Sequence, residues 1–154
     1  AVLTDIDSEG GSLVASNLLM LGNADTAIYA SGALSLSQTL VAGYETGMDS
    51  QDASTLVNSI LVGNGTALTG SGAWTVQYTD SYGNQVDWPA NVSAGVGGNI
   101  SADPLLSRWS DDQDGTNDKV SLSAGSPAID AGMPGTWDTD GSVADMGAYG
   151  GSQR

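Results

Sequence analysis

The chain has no cysteine and no histidine in its 154 residues. Disulfide staples, thiolate chemistry, ordinary zinc sites and histidine-based acid–base catalysis are therefore excluded. Phenylalanine is also absent, so the apolar set is mainly aliphatic. Bases are nearly missing: 3 Lys and Arg stand against 18 Asp and Glu, a net charge of −15. Such a surface has no patch that neutralises phosphates, which argues against nucleic acid as a partner. It also repels anionic membranes. No apolar run approaches the roughly 20 residues of a membrane-spanning helix, so membrane insertion is not expected. No signal-peptide or lipidation pattern occurs. The chain starts at Ala1, not Met, and reads as a mature or excised product whose export signal is gone.

What the chain has in excess is glycine, 22 residues spread without a three-residue period, which excludes collagen. Between the glycines run alternating Val, Leu, Ile and Thr segments, the pattern of strands. Gly22-Asn23, Gly43-Tyr44, Gly63-Asn64 and Gly83-Asn84 recur at spacings of 21, 20 and 20 residues. Each follows a similar segment: Leu13 to Leu21, Leu34 to Ala42, Ser54 to Val62, Trp74 to Tyr82. A period near 20 marks a solenoid, one coil per repeat.

Counting back from the turn glycine, position three holds Leu19, Leu40, Ile60 and Asp80. Position seven holds Ala15, Leu36, Leu56 and Val76, and position nine Leu13, Leu34, Ser54 and Trp74. Alternate residues of a strand share a face, which assigns all three rows to the interior of the coil. Position five holds Asn17, Gln38, Asn58 and then Tyr78. A polar residue recurring there predicts a bend, since Asn tolerates unusual backbone angles. Asn17, Gln38 and Asn58 either form a ladder of stacked amides between coils or align merely as exposed side chains.

Three later stretches carry a resemblance. They are Gly98-Asn99-Ile100-Ser101-Ala102-Asp103-Pro104-Leu105-Leu106, Leu122-Ser123-Ala124-Gly125-Ser126-Pro127-Ala128-Ile129-Asp130-Ala131-Gly132, and Asp138 through Gly151 with its Ala144-Asp145-Met146-Gly147-Ala148-Tyr149 core. Together they resemble the closing element of bacterial right-handed parallel β-helix proteins of the pectate-lyase-like, choice-of-anchor group. The resemblance implies a secreted or surface-associated bacterial protein. The expected fold is all-β: a right-handed parallel β-helix of about four to five coils with an irregular C-terminal cap. Residues 1–100 form the coils and 101–154 the cap of one domain. The chain ends at Gln153-Arg154 without an anchor segment.

Calcium is the first candidate ligand. Asp111, Asp112, Asp114 and Asp118 crowd one segment, and Asp138 and Asp140 form a second acidic turn; the alternative is a solvated acidic loop. Neither matches the helix–loop–helix calcium pattern. Asp130 and Asp145 are expected to bond backbone amides in the closing turns. Extracellular glycans are a second candidate, through Trp88, Trp109 and Trp137, although such rings also pack into cores. Catalysis is not expected: the only bases, Arg108, Lys119 and Arg154, lie outside the coils. The first coil leaves a strand edge that invites a second copy, as a homo-oligomer or filament. The expected function is a non-catalytic structural, adhesion or self-assembly module; the alternative is a glycan-binding or polysaccharide-degrading one.

Overall fold

A computed structural model of the chain describes residues 2–3, 6–22, 25–108 and 120–149. Among these there is no helix. The strands are β1 (Val2–Leu3), β2 (Ile6–Ser8), β3 (Leu13–Leu21), β4 (Thr26–Ala30), β5 (Leu34–Ala42), β6 (Thr46–Ser50) and β7 (Ser54–Val57). They continue as β8 (Ile60–Val62), β9 (Thr66–Thr69), β10 (Trp74–Gln77), β11 (Asp80–Tyr82), β12 (Leu106–Ser107) and β13 (Ser121–Leu122).

Two parallel sheets build the stack. One runs β1-β3-β5-β7-β10 and takes in β8 and β11; the other runs β2-β4-β6-β9. Leu36 lies beside Ala15 on one side and Leu56 on the other, and Val76 follows Leu56. Residues about twenty apart therefore stand over one another in a parallel β-solenoid of about four turns, as the repeat predicts. The short pair β12–β13 is antiparallel and belongs to the closing region.

The bend is where the sequence reading and the structure part. Asn17, Gln38, Asn58 and Tyr78 all take the left-handed conformation, with φ of 54°, 49°, 51° and 49°. One such residue turns the chain and shifts the inward set of side chains by one position. Before the bend, Leu34, Leu36, Leu56, Trp74 and Val76 fill the interior. After it, the inward residues are Met20, Val41 and Leu61, which join Ile28, Met48 and Leu68 of the second sheet.

Leu19, Leu40 and Ile60 are therefore not interior residues. They belong with Leu21, Ala42 and Val62 to a second apolar cluster, shared with Val120, Ala128, Met146 and Ala148. The closing region thus lies along the flank of the coils. A Cβ on Gly147 would come within 2.9 Å of the Ile60 side chain, so backbone is packed directly on this face. Each buried aliphatic side chain contributes about 1.5–3 kcal/mol. The flank is a second core.

The amide ladder also stands in a different row. No amide–amide bond joins Asn17, Gln38 and Asn58 among the described residues; Asn17 is exposed, and Asn58 turns to the closing region. The ladder forms at the residue after the turn glycine. Asn64 Nδ2 donates to Asn84 Oδ1 (2.9 Å) and to the Val41 carbonyl (3.2 Å), while Asn64 Oδ1 accepts the Tyr44 N–H at 3.0 Å. Asn84 Nδ2 reaches the Leu61 carbonyl at 3.1 Å.

The last coil is covered. Asn91 Nδ2 donates to the Trp74 carbonyl (2.7 Å), Asn99 Nδ2 to the Val76 carbonyl (2.9 Å), and the Tyr78 N–H to the Gly97 carbonyl (2.9 Å). Amides and backbone thus satisfy an edge that would otherwise recruit strands.

Neighbouring coils come close at Gly65, where an added Cβ would stand 2.5 Å from the Glu45 carbonyl oxygen of the preceding coil. Gly65→Ala is expected to lose about 1–3 kcal/mol in urea denaturation, because backbone must shift to admit the methyl. Gly11→Ala, whose Cβ would meet nothing within 4 Å, is expected to stay near wild type.

Candidate functional site

The closing region hangs on one residue of the third coil. The left-handed backbone of Asn58 turns both its carbonyl and its side chain toward that region. Its carbonyl accepts the Gly147 N–H at 2.9 Å, Oδ1 accepts the Met133 N–H at 2.7 Å, and Nδ2 donates to Thr136 Oγ1 at 3.3 Å. Its own N–H remains in the stack, donating to the Gln77 carbonyl at 3.3 Å.

Beside this clasp the chain makes a series of tight bends that bring Asp130, Asp138 and Asp145 together. One carboxylate oxygen from each lies within 4.8 Å of the others. Asp138 and Asp145 are buried and Asp130 is exposed, with a left-handed backbone of φ 54°. The group is tied internally. Asp145 Oδ1 accepts the Asp130 N–H at 2.7 Å, and Asp138 Oδ2 accepts the Asp145 N–H at 3.2 Å. The first bond is the backbone-binding role that the sequence assigns to Asp145; Asp130 enters it through its own N–H. Asp138 comes from the acidic-turn prediction; the other two belong to motifs read only as structural. Their spacings of 8 and 7 residues match no ligand pattern, so only the folded bends reveal the convergence.

Three carboxylates in reach of one point are hard oxygen donors, the kind a divalent cation such as calcium takes. Asp140 is not in the group. It is exposed, and its Oδ1 accepts the Ser142 N–H (2.9 Å) and Oγ–H (2.6 Å), closing its own turn. Asp111, Asp112, Asp114, Asp118 and Trp109 lie outside the described residues.

The aromatic candidates separate. Trp88 is half-buried against the interior cluster and donates through Nε1 to Ser101 Oγ at 3.0 Å, so it packs the end cover. Trp74 is buried, with Nε1 on the Thr69 carbonyl. Trp137 is 66 % exposed. Tyr82 is exposed beside a groove of about 300 Å³ lined by Val62, Asp103, Pro104, Leu105 and Leu106.

Comparison of the chain with family models, curated proteins and solved structures gave no match. The coil architecture agrees with the resemblance drawn from the closing motifs. Assignment to the pectate-lyase-like or choice-of-anchor group has no family match behind it.

Asn58→Gly keeps the left-handed backbone and removes only the side-chain bonds. It is expected to lower stability by about 1–3 kcal/mol and to speed hydrogen exchange at Met133 relative to coil amides. Unchanged exchange at Met133 would show that the clasp does not hold this segment.

Proposed function

We propose that this chain is a non-catalytic structural module, exported by a bacterium, that assembles through its first coil. The supporting observation is the first coil's open side. Leu13 and Ala15 are only partly buried, whereas their stacked equivalents Leu34, Leu36, Leu56, Trp74 and Val76 are buried. Among the described residues that edge is paired only by β1, at Leu19 and Met20, which leaves Leu13–Asn17 without a strand on that side. An unpaired strand beside partly covered aliphatic side chains is a template for another strand.

The other end is covered by Asn91, Gly97 and Asn99. Head-to-tail growth would need both ends open. First coil against first coil uses the same patch on both partners and closes as a two-fold dimer. Export and bacterial origin are supported by the closing-motif resemblance, and the acidic composition suits solubility outside the cell.

Light scattering coupled to size exclusion tests the assembly. The expected particle has twice the 15.4 kDa mass of the chain at high concentration. Ala15→Glu, which places a charge at the open edge, is expected to return it to monomer. A wild-type monomer at every concentration would overturn the assembly reading.

Calcium is the cation proposed for Asp130, Asp138 and Asp145, with carbonyls and water completing its coordination. A calorimetric titration is expected to show heat and a raised melting temperature at millimolar calcium. Asp138→Asn, which keeps the shape, is expected to abolish both. Absence of heat and of any thermal shift in the wild type would remove calcium from the proposal.

A further inference from the structure

Asp80 occupies the flank column that earlier coils fill with Leu19, Leu40 and Ile60, and Ile100 follows it. Its side chain has no exposed surface. Oδ1 accepts the Ala102 N–H at 3.1 Å; Oδ2, equally buried, has no hydrogen-bond partner. Around it the segment 99–102 is laid as a partial fifth rung. The Ile100 N–H donates to the Thr79 carbonyl at 3.0 Å, and the Ser81 N–H to the Ile100 carbonyl at 3.1 Å.

The charged groups acting on Asp80 are both acids, Asp103 at the end of that segment and Asp87 in the loop after β11. Each is fixed by its own bonds. Asp103 Oδ1 accepts the Leu105 N–H at 2.9 Å, and Asp87 Oδ1 accepts the Asn84 side-chain amide at 2.8 Å. An ionised Asp80 would thus face two negative neighbours in a dry position with a single donor. A neutral Asp80 meets none of that repulsion.

We propose that Asp80 is a proton-operated latch, which seats the segment 99–103 on the fourth coil when neutral and loosens it when ionised. Burial above all, then Asp103 and Asp87, push its pKa up from 3.8 to about 7, against the lowering effect of the Ala102 N–H. The seated form therefore keeps a proton that the released form gives up between those two values. Seating is strongest at the acid end of this window. It weakens as pH rises, by about tenfold in the opening constant per pH unit, and levels off once Asp80 is ionised in both forms. Ordinary buried Asp side chains that accept several N–H bonds behave in the opposite sense. The latch spans the range from mildly acidic to neutral surroundings.

Hydrogen exchange read by NMR tests this directly. After correction for intrinsic exchange rates, protection of the Ile100 and Ala102 amides is expected to fall at least tenfold from pH 5 to pH 7.5. Protection of Leu56 in the third coil should not follow. In Asp80→Asn the dependence is expected to vanish; Asp80→Leu, which restores the aliphatic column, serves if the amide variant does not fold. A carboxyl titration of the wild type followed by carbon-13 shift is expected to show a midpoint for Asp80 well above 5. A midpoint below 5, pH-independent protection in the wild type, or the same dependence in the variants would overturn the latch.

Discussion

Everything in this molecule turns on a left-handed residue placed once per coil. Asn17, Gln38, Asn58 and Tyr78 each carry a backbone conformation that costs a residue with a Cβ about 1–2 kcal/mol. The cost recurs with every coil, so each coil must offset it. Two features do so. The bend lets each wall of the coil bury its own row inside, Leu36 and Leu56 before it, Val41 and Leu61 after it. It also turns Leu19, Leu40 and Ile60 outward, where a second set of apolar side chains covers them. Without the bend, one long strand would offer only one row to the interior and no flank for the closing region.

Polar groups at the bend are satisfied between neighbouring coils. The Thr39 N–H finds Ser59 Oγ at 3.1 Å, and the Thr79 N–H finds Asn99 Oδ1 at 3.2 Å. Ser59 Oγ–H in turn reaches the Val57 carbonyl. Thr39, Ser59 and Thr79 have no exposed surface. Short polar side chains here take the place of water, as a dry bend requires. Asp80 departs from that pattern. It sits in a column that earlier coils fill with aliphatic side chains, and only one of its two oxygens accepts a hydrogen bond. The same residue type thus ties loop backbone in one place and in another is pushed up by burial to a pKa of about 7.

The coil period and the bend were legible because stacking forces equivalent residues to recur. Position five reads as a bend from Asn17, Gln38 and Asn58 alone. The facing of position three is not legible in the same way, because simple alternation breaks at the left-handed residue between positions seven and three. Leu19 and Leu40 are as apolar as Leu34 and Leu36, so composition could not flag the change. Their covering partners, Ala128 and Met146, lie far along the chain with no period to point back. Both Asn58 and Asn64 recur as amides, and only the backbone geometry shows which row bonds to itself. The carboxylates of Asp130, Asp138 and Asp145 converge through irregular bends, which leave no spacing rule in a sequence.

The clasp at Asn58 makes the modular length of this molecule directional. Coils of a solenoid interact mainly with their neighbours, so a whole twenty-residue unit can in principle be added or deleted without disturbing the remainder. Added ahead of the second coil, such a unit would leave the third coil, its clasp and the end cover in their present relation. Inserted between Ile60 and Asp80, it would move the end cover one storey away from the point where the closing region is fastened. Growth or shortening by duplication is therefore open at the front of the stack and barred near its back.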